Sequence, residues 1–575
     1  MTDLAERAPA SADEPDPSSR PTSSDSVRLE AGDRASRWGW PTAAVAIALL
    51  VVAPVAFLAT SILDPNEEVW RAQWQSRLPG QLADTAILLV GVGVSSLLLG
   101  SGLAWLVTAY RFPGSRLFGW LLIAPLAMPS YVLGFVTISV FGFTGPIQGW
   151  WRDTFGADAW FPPVDSMGGA IVVFTLVLYP YVFLLARTAL ADQAGSAYDV
   201  ARSLGASPTE AARRVVLPLL RPALAAGSGI VLMETLTDFA TVQYFGVDTV
   251  SVGVVRIWRG TFDRDAASEF ATLVLAIALL IIGLERILRG RARYGEAAGA
   301  ATRLAARRLR GWRAIAAFST CAFVLLVSFG APTAQLVVWM IEEATGPRGT
   351  PRVDRFQEFF TNSVILAALT ATVCIVAALL VTSAQRFRPG PVTSVSARAT
   401  AIGYAVPGPV VAIGVVLALV ALDDFLERFG SGLPGVVATG SLIGLVYAYS
   451  VRFLAPGLNT IESGLAQVPE AVTSSARSLG ARPSVVAARI HLPLSRASIL
   501  TAIVLVTVDA VKELPIAFLL RPIGFDTLSV WTYNLASESR FEQAALPALT
   551  IIVVALVPVA LLSRQLSKQA AEVTT

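Results

Sequence analysis

Four carboxylates set in otherwise apolar stretches are the residues with most chemistry to offer. Glu234 and Asp238 recur as Asp509 and Glu513 at a constant offset of 275 residues. Each pair has i,i+4 spacing, which places both carboxylates on one face of a helix. A carboxylate within a membrane is costly and by default faces a pathway. Two helices presenting four carboxylates to one interface suit a hard, highly charged cation with oxygen ligands, and they repel an anion. A structural alternative stands beside this one. Asp509 and Lys512, three apart, can neutralise each other, and all four acids can cap helices near the outer surface. No metal ligand set is assigned. The single histidine, His491, excludes a histidine cluster within one chain. Cys321 and Cys374 both fall in apolar runs and read as small core residues, not as a disulfide or thiolate site.

These acids need elements that carry them through lipid. The chain has 575 residues, 54% hydrophobic and 15% charged, with a mean hydropathy of +0.63. Soluble domains carry about 25% charged residues, and the apolar runs here reach the ~20 residues that cross ~30 Å of hydrocarbon as a helix. The composition predicts an all-α polytopic membrane protein of about twelve spans. They fall near 40–63, 84–109, 117–141, 168–190, 223–246, 268–288, 313–340, 361–384, 398–421, 435–457, 497–520 and 544–563. Pro54, Pro125, Pro129, Pro180, Pro407, Pro409 and Pro515 fall inside spans, where neighbouring helices tolerate them. Residues 1–38 form a polar tail that buries too little apolar surface to order itself. A first six-span half, 39–290, is joined by an Arg-rich linker, 291–312, to a second, 313–565, with a short tail at 566–575. The net charge of +3 is uninformative as a total. The placement of Lys and Arg, with 31 of 44 on the side of the N-terminus (Arg452 among them), 12 on the other and Lys512 within a span, predicts cytoplasmic termini.

The acids are the far end of a longer repeat. Ala201-Arg202-Ser203-Leu204-Gly205-Ala206 reappears as Ala476-Arg477-Ser478-Leu479-Gly480-Ala481, and Leu217-Pro218-Leu219 as Leu492-Pro493-Leu494, so each Gly precedes its Pro by 13 residues. Asp84-Thr85 parallels Asn362-Ser363, and Met128-Pro129 parallels Val406-Pro407, at an offset of 278. The chain is a tandem duplication, and parallel repeats of this kind build a pathway at their interface. Locally, 196–218 reads as helix, turn and helix. Ser196 and Asp199 form a capping-box pattern, Gly205 follows the helix end, and Ser207-Pro208-Thr209-Glu210 restarts a helix. Pro218 marks the turn back toward the membrane. The second copy keeps Gly480, Pro483 and Pro493 but lacks the acids and their caps. A paired cytoplasmic protrusion suits docking onto a two-fold symmetric partner.

Both loops resemble the signature loop of permease subunits of binding-protein-dependent ABC importers, a Glu-Ala-Ala-x-x-x-Gly core followed by Leu-Pro. Here the core reads Asp199-Val200-Ala201-Arg202-Ser203-Leu204-Gly205 and Ser474-Ser475-Ala476-Arg477-Ser478-Leu479-Gly480, so the leading Glu is Asp in one copy and Ser in the other. Leu232-Met233-Glu234-Thr235-Leu236-Thr237-Asp238-Phe239 and Lys512-Glu513-Leu514-Pro515 resemble fused twelve-span permeases of ferric-iron importers. The resemblance implies two MetI-like halves in a bacterial cytoplasmic (inner) membrane. It implies two copies of an ABC ATPase docked at Asp199, Ala201, Arg202, Gly205, Pro218, Ala476, Arg477, Gly480 and Pro493, and an extracytoplasmic binding protein. Glu234, Asp238, Asp509 and Glu513 would line the pathway. Relatives carrying thiamine, phosphonates or sugar phosphates are the alternatives within the family, and an ion-gradient-driven secondary transporter is the alternative outside it. Only two lysines occur, neither in a Gly-x-x-x-x-Gly-Lys-Ser/Thr loop, so the chain is expected to be no enzyme and to bind no cofactor. ATP and Mg2+ belong to the partner ATPases. The lipid bilayer is the remaining partner, and no nucleic acid is expected.

Overall fold

The computed structural model describes residues 23–61, 67–192, 194–261, 264–289, 306–346, 353–428 and 440–572. Ten helices are long and apolar enough to cross a membrane, and an eleventh span arises if Pro483–Leu494 and Arg496–Lys512, bent by 78°, count as one. The expected span at 435–457 is the 25-residue helix Leu442–Ala466, whose apolar run is interrupted by Arg452. The first helix, Ser23–Thr60, reaches back over part of the segment read as a tail. Most of the linker, over 291–305, lies outside the described residues. After it, Arg307–Arg308 pairs as a parallel strand with Tyr110–Arg111, and Leu309 N–H donates to Arg111 O at 2.9 Å.

Lipid offers no hydrophobic drive between helices, so close packing relies on small residues. The helices Leu78–Ala109, Met167–Asp192 and Leu217–Thr237 meet this way. A Cβ on Gly100 would lie 2.7 Å from Tyr179 O and 2.8 Å from Val182 Cβ, and one on Gly227 would lie 2.9 Å from Val182 Cα. At the 275-residue offset the sizes reverse: Gly457 takes the place of Val182, and Ile375 and Ala502 replace the two glycines. The second half thus keeps the contact with its shape complementarity inverted. The outward face of Leu78–Ala109 presents Ile87, Val90, Val94 and Leu98, all exposed to the lipid side.

The halves exchange their first helices. Ser23–Thr60 packs against Val353–Phe387, Pro391–Thr400 and Gly408–Arg428 of the second half, where Tyr447 Oη donates to Leu50 O at 2.6 Å. Conversely, Trp312–Leu325 contributes Ala314, Ala317, Cys321 and Val324 to a core with Leu103, Phe112 and Tyr179 of the first half. Cys321 and Cys374 are both buried and free.

Four expected spans are broken. The stretch 117–141 divides at the 3-10 turn Ala124–Ala127 before Ser130–Phe141, and 398–421 divides at Ala401–Ala405 before Gly408–Arg428. The stretches 223–246 and 497–520 end as helices at Thr237 and Lys512. Pro54 and Pro180 sit within helices, whereas Pro125, Pro129, Pro407 and Pro515 lie at the breaks. Backbone opened at this depth is tolerated where it lines a cavity. The breaks at Ser130, Thr237 and Lys512 do so.

Candidate functional site

The breaks near Ser130, Thr237 and Lys512 surround a cavity of about 110 Å³ between the halves. Its first-half walls include Ser130, Tyr131, Tyr181, Glu234 and Asp238; its second-half wall includes Arg452, Lys512 and Glu513. Three of the four sequence-singled acids therefore converge, and Asp509 adjoins them through its ion pair with Lys512 at 2.9 Å.

The structure corrects the helical-face reading of each acid pair. Asp238 and Glu513 lie one residue past their helices, in extended backbone at ψ 116° and 126°. A carboxylate there competes with the helix for nearby N–H groups. Thr241 N–H donates to Asp238 Oδ1 at 2.8 Å, and Ile516 N–H donates to Glu513 Oε1 at 3.3 Å. The two acceptors and the two donors each correspond at the 275-residue offset. Each acid starts the next short helix instead of continuing the previous one.

The remaining bonds of these acids differ between the halves. Asp238 Oδ2 accepts from the Ser130 and Thr241 hydroxyls. Glu513 instead faces Arg452, with Nε 3.5 Å from Oε2, and Arg452 Nη1 also donates to Val406 O at 3.3 Å. Gly408, the counterpart of Ser130, makes the room: a Cβ there would lie 3.1 Å from both Arg452 Nη1 and Glu513 Oε1. A serine donor in one half is thus replaced by an arginine admitted by a glycine in the other. Arg452 is buried in mid-helix, so its assignment to the cytoplasmic charge count is corrected. Among the described residues Glu234 has neither a hydrogen bond nor an ion pair, and no group of three His, Cys, Asp or Glu residues is disposed to hold a metal ion. The four acids therefore divide into three engaged carboxylates and one free one.

Away from the cavity, the duplicated loops fold alike. Past the end of the helix Ala194–Ser203, Gly205 has φ +90°, Gly205 N–H donates to Arg202 O, and Ala206 N–H donates to Ala201 O, both at 3.1 Å. Past the end of the helix Glu470–Ser478, Gly480 has φ +82°, and the matching bonds to Arg477 O and Ala476 O measure 3.0 and 3.1 Å. This double bond pattern closes a helix with a left-handed glycine. Arg202 is exposed and turns back onto Ala206 O, while Arg477 is exposed. The Asp199 and Ser196 side chains lie outside the described residues. Ser207 caps the next helix by accepting from Glu210 N–H at 3.2 Å. In the second copy Arg482 occupies that place without a side-chain cap. That copy has Ser474 and Val485 in place of Asp199 and Glu210, but carries an acid of its own, Glu470, in its first helical turn.

A π-turn follows in both copies, Ala212–Val216 and Ala487–His491. Its wide i→i+5 ladder accommodates the proline that comes next. Consequently the chain does not turn at Pro218: one candidate span runs continuously over Thr209–Thr237. Only the second copy bends, at Ser495 beyond Pro493. His491, where the first copy has Val216, stacks on Phe387 at 5.3 Å and lies 3.0 Å from Thr473 Oγ1. The residue before each loop glycine was overlooked in the sequence, although it repeats. Leu204 and Leu479 are 82% and 87% exposed at the loop tips.

Matching bonds brace the outer ends. Val250 N–H donates to Thr85 Oγ1 at 3.0 Å, and Leu528 N–H donates to Ser363 Oγ at 2.8 Å, each atom pair related by 278 residues. The repeat is a repeat of hydrogen bonds as well as of sequence.

Comparison with known proteins agrees with this architecture. The chain is 25% identical over 494 residues to the Fe(3+)-transport system permease protein FbpB 2 of Haemophilus influenzae, covering 85% of this chain and 91% of that protein. It is 26% identical over 250 residues to the sulfate transport system permease protein CysT of Escherichia coli, covering 42% and 87%. It is 27% identical over 221 residues to a putative 2-aminoethylphosphonate transport system permease protein PhnU of Salmonella choleraesuis, covering 37% and 77%. The description "binding-protein-dependent transport system inner membrane component" matches twice, over residues 96–289 and 374–570. With two such domains, one in each half of a polytopic helical chain, the protein belongs to the family of ABC-importer permeases.

Proposed function

We propose that this permease moves ferric iron, delivered by an extracytoplasmic binding protein, into the cytoplasm. The observation that carries the reading is the charge of the central cavity. Its two cations are each committed to a carboxylate, Arg452 to Glu513 and Lys512 to Asp509. Asp238 and Glu234 are left as uncompensated negative charge, which favours a hard cation over an anion. The ferric relative matching across both halves supports the same choice.

Two ATPase subunits dock at 192–222 and 467–497, with the termini on their side of the membrane. ATP and Mg2+ act on those subunits. Closure of the ATPase pair draws the two loops together and rocks the halves about the cavity. The loop geometry set by Gly205 and Gly480 transmits that movement, and the exposed leucines supply its apolar grip.

The test is transport by the full complex in liposomes, supplied in turn with Fe(III), sulfate and 2-aminoethylphosphonate, each on its own binding protein. Iron accumulation that requires ATP is the expected result. Accumulation of either anion without iron refutes the reading, and iron accumulation independent of ATP and of any ATPase subunit refutes the coupling.

A further inference from the structure

Three oxygen groups in the central cavity have no protein partner. Tyr131 is only 4% exposed, and its hydroxyl takes part in no hydrogen bond. The Tyr181 hydroxyl and the Glu234 carboxylate line the same cavity, and among the described residues neither has a hydrogen bond or an ion pair. A polar group left unpaired away from water costs about 1–3 kcal/mol. The buried Tyr131 is therefore not explained by packing, which phenylalanine would serve better; Tyr181 is half-buried.

All three groups come from the first half, on three different helices: Ser130–Phe141, Met167–Asp192 and Leu217–Thr237. Neither phenol is repeated. The counterpart of Tyr131 at the 278-residue offset is Pro409, and that of Tyr181 at the 275-residue offset is Pro456. The second half instead contributes the two cations, Arg452 and Lys512, at the positions of Val177 and Thr237. Along its lining the cavity thus has a first-half donor side and second-half cations closed in ion pairs, although Tyr404 of the second half neighbours Glu234 and Tyr181 without lining it.

Phenolate and carboxylate oxygens are hard donors matched to a small trivalent cation. We propose that Tyr131, assisted by Tyr181 and the Glu234 carboxylate, is the transient ligand of the ferric ion as it crosses, with Asp238 taking up the Tyr131 proton. This rests on the iron reading above. In the step, the Tyr131 O–H bond is exchanged for an O–Fe bond as the ion sheds a water, the proton passes to the Asp238 carboxylate in the same cavity, and the iron stays Fe(III), so no electron is transferred. Reversal of the same exchange releases the ion toward the cytoplasm.

The test compares wild type, Tyr131→Phe and Tyr181→Phe as the full complex in liposomes. Three quantities are measured: Fe(III) uptake, the thermal unfolding midpoint, and visible phenolate-to-Fe(III) charge-transfer absorption when Fe(III) citrate is added. The Tyr131 hydroxyl has no hydrogen bond to lose, so the unfolding midpoint of Tyr131→Phe should match wild type. Loss of the absorption band together with a fall in uptake of about tenfold or more supports the assignment. If wild type imports iron and both variants import it within about twofold, with no band in any of the three, the tyrosine assignment is overturned while the iron reading stands. If wild type imports no iron under conditions where it imports another substrate, the iron reading fails and the assignment fails with it.

Discussion

Removing Arg452 should be among the most damaging single changes in this chain, and the structure says how to repair it. The Arg452 and Glu513 side chains are 5% and 7% exposed, with Nε 3.5 Å from Oε2. That is a desolvated pair whose attraction only offsets what both ions lose on leaving water. Arg452→Met leaves Glu513 charged, buried and holding a single hydrogen bond from Ile516 N–H. Breaking such a pair on one side costs about 3–5 kcal/mol, or two to almost four orders of magnitude in the folded-to-unfolded ratio. The double variant Arg452→Met/Glu513→Gln removes the stranded charge and keeps an oxygen for Ile516 N–H, so its cost should fall to about 1 kcal/mol. A second repair copies the first half. Gly408→Ser in the Arg452→Met background places a hydroxyl where Ser130 serves Asp238, and a bond to a charged acceptor should return about 1.5–3 kcal/mol. Gly408→Ser alone should destabilise, because its Cβ would lie 3.1 Å from Arg452 Nη1. Titration with SDS in mixed micelles, followed by tryptophan fluorescence and helical circular dichroism, ranks the variants. A loss of under about 1 kcal/mol for Arg452→Met would mean that the pair is solvated like an exposed one. A double variant no better than the single would mean that Arg452 serves something other than Glu513.

Replacing Gly205 and Gly480 by Val forces β-branched residues into φ +90° and +82°, at about 1–2 kcal/mol each. ATP hydrolysis should continue while substrate moved per ATP collapses, and unchanged uptake would refute the coupling role. Leu204→Ser with Leu479→Ser should leave stability within about 0.5 kcal/mol yet abolish co-purification of the ATPase, since both side chains are exposed at the loop tips. Among the acids, Glu234→Gln should lower uptake without altering the unfolding midpoint, whereas Asp238→Asn disturbs the bonds from Ser130 and Thr241 and should cost about 1–3 kcal/mol. The reverse order in a thermal-unfolding comparison would show that the roles have been exchanged.

The loops were legible because their determinants are local. A left-handed glycine, a proline shortly after and a capping serine specify the same short helices wherever they occur. The acid-bearing breaks were less so. Pro515 signals the second break, since its missing N–H and its ring both oppose a continuing helix. In the first half, Glu234-Thr235-Leu236-Thr237-Asp238-Phe239-Ala240-Thr241 contains no proline or glycine. Asp238 ends the helix by binding Thr241 N–H, a competition that propensity alone does not decide. Arg452 was misplaced for a different reason. Counting it with the loops satisfied the charge asymmetry, and its partner lies in another span, brought near only by the fold. The phenols carried no local signal, because an unpartnered hydroxyl is visible only once everything around it has been placed.

Residues that match at a fixed offset prove here to be the frame. The loop glycines, the carboxylates that start the short helices, and the hydroxyls of Thr85 and Ser363 recur because both halves must be held and moved alike. Glu234 and Asp509 also match, but only Asp509 has acquired a partner, through a lysine its counterpart lacks. Along the cavity lining the first half therefore presents free oxygen donors, and the second holds its two cations in closed ion pairs. A binding surface made from one side has a direct mechanical consequence. On the proposed assignment, an ion held by Tyr131, Tyr181 and Glu234 would stay with the first half as the halves rock apart, while the Arg452–Glu513 and Lys512–Asp509 pairs would withdraw intact with the second. Separation would then open the path without first breaking the cargo's own bonds. In a fully symmetric cavity the same motion would have to tear one half's ligands away at every cycle.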